Sequence, residues 1–263
     1  DELIDRAGDN LDAREWSRVA GYMLSKARLL DDKDVQIGIY DQIIDRGLKS
    51  GNQRELESVA EAMLQKAEAV DDREEKIKLY DTVLFELKPL PDRLFFTLTL
   101  SEALRKRADL ETEESEKLRL YDRYLTADES LLIPDIRMTL LLEKAGFMSD
   151  PAAKSRLHDE VIEFGLQTMS SADRDEISDF KYYKLINSLG QAFIGRADLA
   201  GTPEEKLKLY DQYLALPLRS HSDFLIGTRF EEILSKKAEL SGDPSIKIVY
   251  FDDRIRAAVT DRE

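Results

Sequence analysis

Apolar residues recur every three or four positions along nearly the whole chain, which is the spacing of one face of an α-helix. Val59, Met63 and Ala67 form one such stripe, and Tyr80 and Leu84 belong to the next. Short polar stretches that contain Asp, Thr, Gly or Pro separate the stripes. The pattern therefore predicts an all-α protein of many short helices.

The predicted helices fall into pairs, and the break inside a pair carries residues that begin helices. The sharpest break predicts Thr202 as the N-cap, Pro203 as the first helical residue and Glu205 as the residue that closes a capping box. Similar breaks occur at Asp71 and Asp72, at Thr112, at Asp150 before Pro151, and at Gly242 and Asp243 before Pro244. We name the first helix of each pair A and the second B.

One block of sequence returns along the chain and fixes the register of the pairs. It reads Lys-Ile-Lys-Leu-Tyr-Asp at 76–81, and its near or looser copies end in Asp41, Asp122, Asp159, Asp211 and Asp252. Thirteen residues before the aromatic residue or His of each block stands an Ala that follows Lys or Arg, namely Ala27, Ala67, Ala108, Ala145, Ala197 and Ala238. The steps between these Ala residues are 40, 41, 37, 52 and 41 residues, within the range of helical solenoid repeats.

The repeat predicts an α-solenoid of about six antiparallel helix pairs in a single helical-repeat domain, 1–263, with units of approximately 10–50, 51–90, 91–128, 129–168, 169–218 and 219–263. The residue before each aromatic is apolar, so a B helix has more apolar surface than its own A helix covers and needs the next unit. The long step indicates an insertion near Gln167–Tyr183. There, Ser170–Asp173 predict a helix start that either lengthens the fifth A helix or adds a short helix.

A charge pattern that recurs in every repeat has two interpretations. The residue after each aromatic or His is Asp, and the residue before each Ala is Lys or Arg. We expect a structural ladder in which the Asp of a B helix meets the base of a neighbouring A helix, or its own base three residues earlier, as Lys78 would for Asp81. The alternative is a row of carboxylates that faces a cation or a basic peptide. Metal sites need several converging carboxylates, which favours the ladder.

The combination of A and B helices, a small residue in A and an aromatic 13 residues later in B resembles the tetratricopeptide repeat, in bacterial versions that read roughly A-I-x-x-Y-D-x-x-L. The resemblance covers nearly the whole chain, although Lys76 stands where the family prefers Ala and Ala67 where it prefers an aromatic. It implies a right-handed superhelix whose A helices line a concave face that holds an extended peptide or a helix of another protein.

Matching repeat positions places sixteen residues on that implied concave face. Eight are acidic and five are basic, which favours a mildly basic partner segment. The residues are Arg18, Ser25, Arg28, Glu61, Gln65, Glu68, Glu102, Lys106, Asp109, Glu143, Gln191, Asp198, Arg229, Glu232, Lys236 and Glu239.

Composition narrows the classes of partner. The formal net charge of −15 disfavours nucleic-acid phosphate and anionic membranes. The chain has no Cys, so disulfides, thiolate metal sites and a Cys nucleophile are excluded. No apolar run is long enough to insert into a membrane. We expect a soluble protein; its compartment stays open, with the cytoplasm favoured over the periplasm, and the oligomeric state is not indicated.

Candidate catalytic residues are few. His158 stands where other units carry Tyr or Phe, so we interpret it as a core substitution that could make its unit pH-sensitive rather than as a catalytic base. His221 lies in a predicted linker. Trp16 is expected to cap the first unit rather than to serve as an exposed docking residue, and Phe95 and Phe96 are expected to be mostly core. Phosphate-loop, zinc-protease, nucleophile-elbow and calcium-loop motifs are missing from the sequence.

We therefore expect a non-catalytic scaffold that binds a peptide or helix of a partner protein on its concave face, with no cofactor and no metal. The alternative is a regulatory, ligand-sensing or accessory repeat domain of a larger protein, with which the absence of Met at Asp1 is compatible.

Overall fold

The structure is a computed structural model that describes residues 11–52, 55–87, 94–127, 134–171, 179–216 and 227–249. These residues form eleven helices of 12 residues or more, and none of them lies in a strand. The all-α prediction is confirmed. The chain divides into two compact units, Asp1–Ile133 and Pro134–Glu263.

The first compact unit, Asp1–Ile133, contains three helix pairs. In chain order its helices are α1 Ala13–Arg28, α2 Lys33–Ser50, α3 Leu56–Ala69, α4 Arg73–Phe85, α5 Leu94–Asp109 and α6 Glu114–Ala127. Each helix packs against the next along the chain, and in addition α1 packs on α3 and α3 packs on α5. The predicted A helices α1, α3 and α5 therefore form a continuous layer, with the B helices alternating between them in sequence.

The second unit follows the same rule. Its helices are α7 Pro134–Phe147, α8 Pro151–Ser171, α9 Asp179–Asp198, α10 Pro203–Leu214 and α11 Gly227–Ser241. Consecutive helices pack together, and the A helices α7, α9 and α11 pack on one another in turn. Helical residues resume at 245–249, where the last B helix is predicted. The rest of that predicted helix, including Asp252, lies outside the described residues. His221 of the predicted linker lies outside them as well.

The helices begin where the sequence supplies N-cap side chains. Asp12 accepts hydrogen bonds from the backbone N–H groups of Arg14 and Glu15, both at 2.8 Å, and Glu15 completes the capping box. Thr202 is the N-cap of α10 and Pro203 its first residue, as predicted. The Glu205 carboxylate, however, accepts from the N–H of Gly201 at 3.1 Å, one residue before the position that a capping box uses.

The extra residues of the insertion near 167–183 lengthen helices that the prediction assigned differently. Ser170 and Ser171 belong to the end of α8, so they do not begin a helix as predicted. The rest of the predicted helix start, Ala172 and Asp173, lies outside the described residues. The helix α8 has 21 residues and α9 has 20, against 12 to 18 in the other helices of the chain that the structure describes. Both helices that flank the insertion are thus lengthened, rather than the A helix alone.

The recurring aromatic residue and the Ala that precedes it by 13 positions both belong to the core. Tyr80, Tyr121 and Tyr210 are buried, and so are the Ala residues that precede them by 13 positions. An Ala at that place lets the aromatic ring of the B helix approach the A helix closely. Trp16 is also buried, with the guanidinium of Arg46 in α2 over its ring at 4.5 Å. Its burial excludes the alternative of an exposed docking residue, whereas the side chains of Phe95 and Phe96 lie outside the described part.

Candidate functional site

The predicted charge ladder connects four of the B helices to the A helix of the following pair. Four contacts of this type occur in the described residues. They are Asp41 with Lys66 at 2.9 Å, Asp81 with Arg107 at 3.1 Å, Asp159 with Arg196 at 2.9 Å, and Asp211 with Lys237 at 2.5 Å. The ladder between neighbouring pairs is therefore confirmed. These carboxylates are engaged in packing the repeat, which accounts for Asp in a helix interior.

The ladder is reinforced by second carboxylates on the same bases. Lys66 also binds Glu75 of α4 at 3.2 Å, and Arg107 binds Glu111 at 2.5 Å. Partial burial opposes the charge of Lys66, but the hydrogen bonds to Asp41 and Glu75 outweigh it and raise the pKa of the ammonium. The ammonium of Lys66 thus ties α3 to both neighbouring B helices.

A second network joins the B-helix aromatic to the exposed side of the A helices. The Tyr80 hydroxyl donates to Glu68 at 2.7 Å, and Lys106 of α5 donates to the same carboxylate at 3.1 Å. Burial, followed by the Glu68 hydrogen bond, raises the pKa of Tyr80. Partial burial opposes ionisation of Glu68, yet the bonds from Tyr80 and Lys106 lower its pKa overall. Two predicted partner-binding residues, Glu68 and Lys106, are thus bonded to each other on the surface of the protein.

The predicted residues of α1 and α3 are brought together in the same way. Arg28 forms an ion pair with Glu61, and Gln65 donates to the same carboxylate at 3.3 Å. In the second unit, Arg229 of α11 donates to Asn187 of α9 at 3.3 Å and pairs with Glu232 at 2.6 Å. The contacts of Arg28 with Glu61 and of Arg229 with Asn187 therefore link successive A helices along the predicted binding side.

A groove of about 400 Å³ crosses α1, α3 and α5 in the first unit. Its lining includes Gly21, Leu24, Arg28, Glu61, Leu98 and Glu102. Three of these were expected from the repeat positions, namely Arg28, Glu61 and Glu102. The groove therefore brings three of the predicted partner-binding residues together with two apolar residues, Leu24 and Leu98.

The sequence prediction missed six of the residues that line the groove, namely Gly21, Leu24, Glu57, Ser58, Thr99 and Leu98. Leu98 is the exposed large apolar residue among them. Its side chain is 46% exposed and lines the groove. It stands ten residues before Ala108, and the same place in the other units is polar in every case: Ser17, Glu57, Asp135, Asn187 and Thr228. An apolar residue at a place that is otherwise polar was the signal that could have identified it.

The other predicted residues occupy the A helices without entering the groove. Arg18, Ser25 and Asp109 in the first unit are exposed, as are Gln191, Asp198 and Glu239 in the second. Glu143 and Lys236 are half-buried. The structure thus separates the predicted set into groove residues, residues that join helices, and residues exposed along the A helices.

His158 is buried in α8, as expected for a core substitution. Burial, followed by repulsion from Lys154, lowers the pKa of its imidazole. The ring lies against Gly195 of α9, where an added Cβ would meet Nε2 at 2.6 Å. Gly195 therefore makes the space that the imidazole occupies.

Two further observations concern the described residues only. No group of three or more His, Asp or Glu side chains among them is arranged to hold a metal ion. No helix among them combines the length and the apolar content that crossing a membrane requires. In comparisons with known proteins, no protein-family model, curated protein or solved structure matches this chain.

Proposed function

We propose that the protein is a non-catalytic interaction scaffold that holds a segment of a partner protein on the exposed face of its A helices. In this proposal the helix pairs continue as a tetratricopeptide-like right-handed solenoid of six units, and that face is its concave side.

The groove across α1, α3 and α5 is the observation that carries the proposal. It spans three successive A helices, so its lining comes from three repeats at once. Side-by-side packing of A helices is what generates an extended binding surface in helical repeat proteins. Concave sites of this kind with a few polar groups on an apolar base are the usual places for ligands.

The charge of this face favours a basic partner. Glu102 and Asp109 of α5 are exposed, and neither makes a hydrogen bond or ion pair within the residues that the structure describes. Each carboxylate is therefore available to a Lys or Arg of a partner. Charges at the rim of an interface act mainly on association rate and partner choice.

Affinity capture from native extract with quantitative mass spectrometry tests this function. The double variant Glu102→Lys/Asp109→Lys reverses the charge of the exposed A-helix carboxylates without removing an ion pair of the described residues. We expect it to lose most of the partners that the wild-type chain captures, because two attractions become repulsions.

The matched control is Asp45→Lys/Glu86→Lys, which changes net charge equally but lies on α2 and at the end of α4. Both residues are exposed. If the control loses the same partners as the A-face variant, or if the A-face variant keeps all of them, binding does not use the A helices and the proposal is wrong.

A further inference from the structure

We propose that the groove across α1, α3 and α5 binds an extended peptide in which an aliphatic side chain and a Lys or Arg are two residues apart. The aliphatic side chain contacts Leu98 and Leu24, and the cation pairs with Glu102. This inference rests on the proposed function, and it specifies the partner of the same face.

The apolar contact is provided by α5 and α1. Leu98 is half-exposed while Leu24, on the other side of the groove, is buried. Leu98 stands at a place that is polar in the five other units, and the exposed 46% of its side chain is apolar surface in contact with water. An aliphatic side chain that fills the groove removes that surface from water.

The cation contact is one helical turn away. Leu98 and Glu102 are four residues apart on α5, so their side chains lie on the same face of the helix. Glu61, the equivalent of Glu102 in α3, is already paired with Arg28. Glu102 is therefore the carboxylate of this row that is left for a ligand.

The spacing and the volume select an extended ligand. One helical turn advances about 5.4 Å, and residues two apart in an extended chain lie on the same side at about 6.6 Å. A groove of about 400 Å³ is near the lower end of small-ligand pockets. It accommodates two or three side chains of an extended segment rather than the width of a whole helix.

Gly21 leaves the room for this ligand. In the same row, α3 and α5 carry Glu61 and Glu102, whereas α1 carries Gly. A Cβ built at Gly21 meets no atom within 4 Å. Because Gly21 lines the groove, we expect a longer side chain there to occupy it, which provides a way to fill the site from within the protein.

Selection of random dodecapeptides displayed on phage against the purified 263-residue chain supplies the probe. We expect the enriched peptides to carry Lys or Arg two residues from Leu, Ile or Met. Dissociation constants of synthetic copies are then measured by fluorescence anisotropy. Leu98→Ser and Glu102→Gln should each weaken binding about tenfold, and Gly21→Gln should weaken it about a hundredfold because the side chain occupies the groove.

Gly38→Gln is the matched control. Gly38 is an exposed helical Gly on α2 with no atom within 4 Å of an added Cβ, so the same substitution is made away from the groove. Both variants replace Gly inside a helix with a better helix former, and neither should lower the melting temperature. Gly38→Gln should bind the peptides as the wild type does.

Failure of the inference and failure of the proposed function give different results. Peptides that lack the two-residue spacing, or that bind Gly21→Gln as tightly as the wild type, overturn the groove assignment. If such peptides are still lost by Glu102→Lys/Asp109→Lys, the A face remains the binding surface. Selection that yields no binding peptide overturns the inference, and peptides insensitive to every A-helix variant overturn both.

Discussion

At the scale of single residues, the imidazole of His158 fits among its neighbours because the residue that it lies against, Gly195, has no side chain. The other described units place a Tyr at this position in the core, while α8 places an imidazole against Gly195 of α9. The sequence predicted that His158 is buried, because it occupies the aromatic position of the repeat. It did not predict the pairing with Gly195, because which residue of α9 faces the ring depends on how the lengthened helices α8 and α9 pack.

The buried imidazole should make stability depend on pH. Burial lowers the pKa of His158 in the folded state below the ordinary value of about 6.5. The unfolded chain therefore takes up the proton first, and stability that is full above about pH 6.5 is lost as the pH falls towards the folded pKa. The nearby charges are Lys154, Asp159, Arg196 and Asp198, and the cationic pair opposes protonation.

Chemical denaturation at several pH values between 7.5 and 5.5 measures this effect. His158→Gln should show a flatter dependence than the wild type across that range, since it removes the titrating group but keeps a polar side chain in the same place. Identical slopes for the two proteins would contradict the expected role of the imidazole.

At the scale of helices, the sequence predicted the positions of the elements well and their ends less well. The N-caps at Asp72 and Thr202 follow from local side-chain chemistry. Ser170 was misread as part of a helix start, because Ser is a good N-cap. In the structure its hydroxyl donates to the carbonyl of Gln167 at 2.9 Å, and such back-bonding lets Ser remain within a helix. Sequence alone does not distinguish these two uses of the hydroxyl.

The ladder contact that joins α2 to α3 should contribute measurably to stability. The side chain of Lys66 is 15% exposed and lies between Asp41 and Glu75. A double-mutant cycle of Lys66→Met and Asp41→Asn, followed by urea denaturation, should give a coupling energy of about 1 kcal/mol. Partial exposure of Asp41 keeps the value well below that of a fully buried pair.

The matched control is an exposed pair within one helix. Arg119 and Glu116 of α6 are 2.6 Å apart but 77% and 43% exposed, so their coupling should be about 0.3 kcal/mol or less. Equal coupling in the two cycles would show that the ladder has no special role in stacking the helix pairs.

At the scale of the whole molecule, the repeat separates residues that build the fold from residues that are free to vary. The aromatic, the Asp and the base recur because they meet neighbouring helices, and their contacts follow directly from the register of the sequence. The groove could not be predicted in the same way, because its shape depends on Gly21, Leu24 and Leu98 from two different A helices. Only the structure shows that these three residues line the same groove.

This separation predicts that a change in the repeated core alters stability without altering partner choice. Tyr80→Ala removes a buried aromatic that is 2% exposed, and should lower the free energy of unfolding by about 3–5 kcal/mol. The melting temperature should fall by at least several degrees, and hydrogen exchange should accelerate first in α3, α4 and α5, which pack around the site. Because Tyr80 does not line the groove, peptides selected by the wild type should bind the folded variant, at a temperature below its transition, with unchanged rank order. A variant that folds but prefers different peptides would show instead that the Tyr80 hydroxyl, through Glu68 and Lys106, shapes the binding face as well as the core.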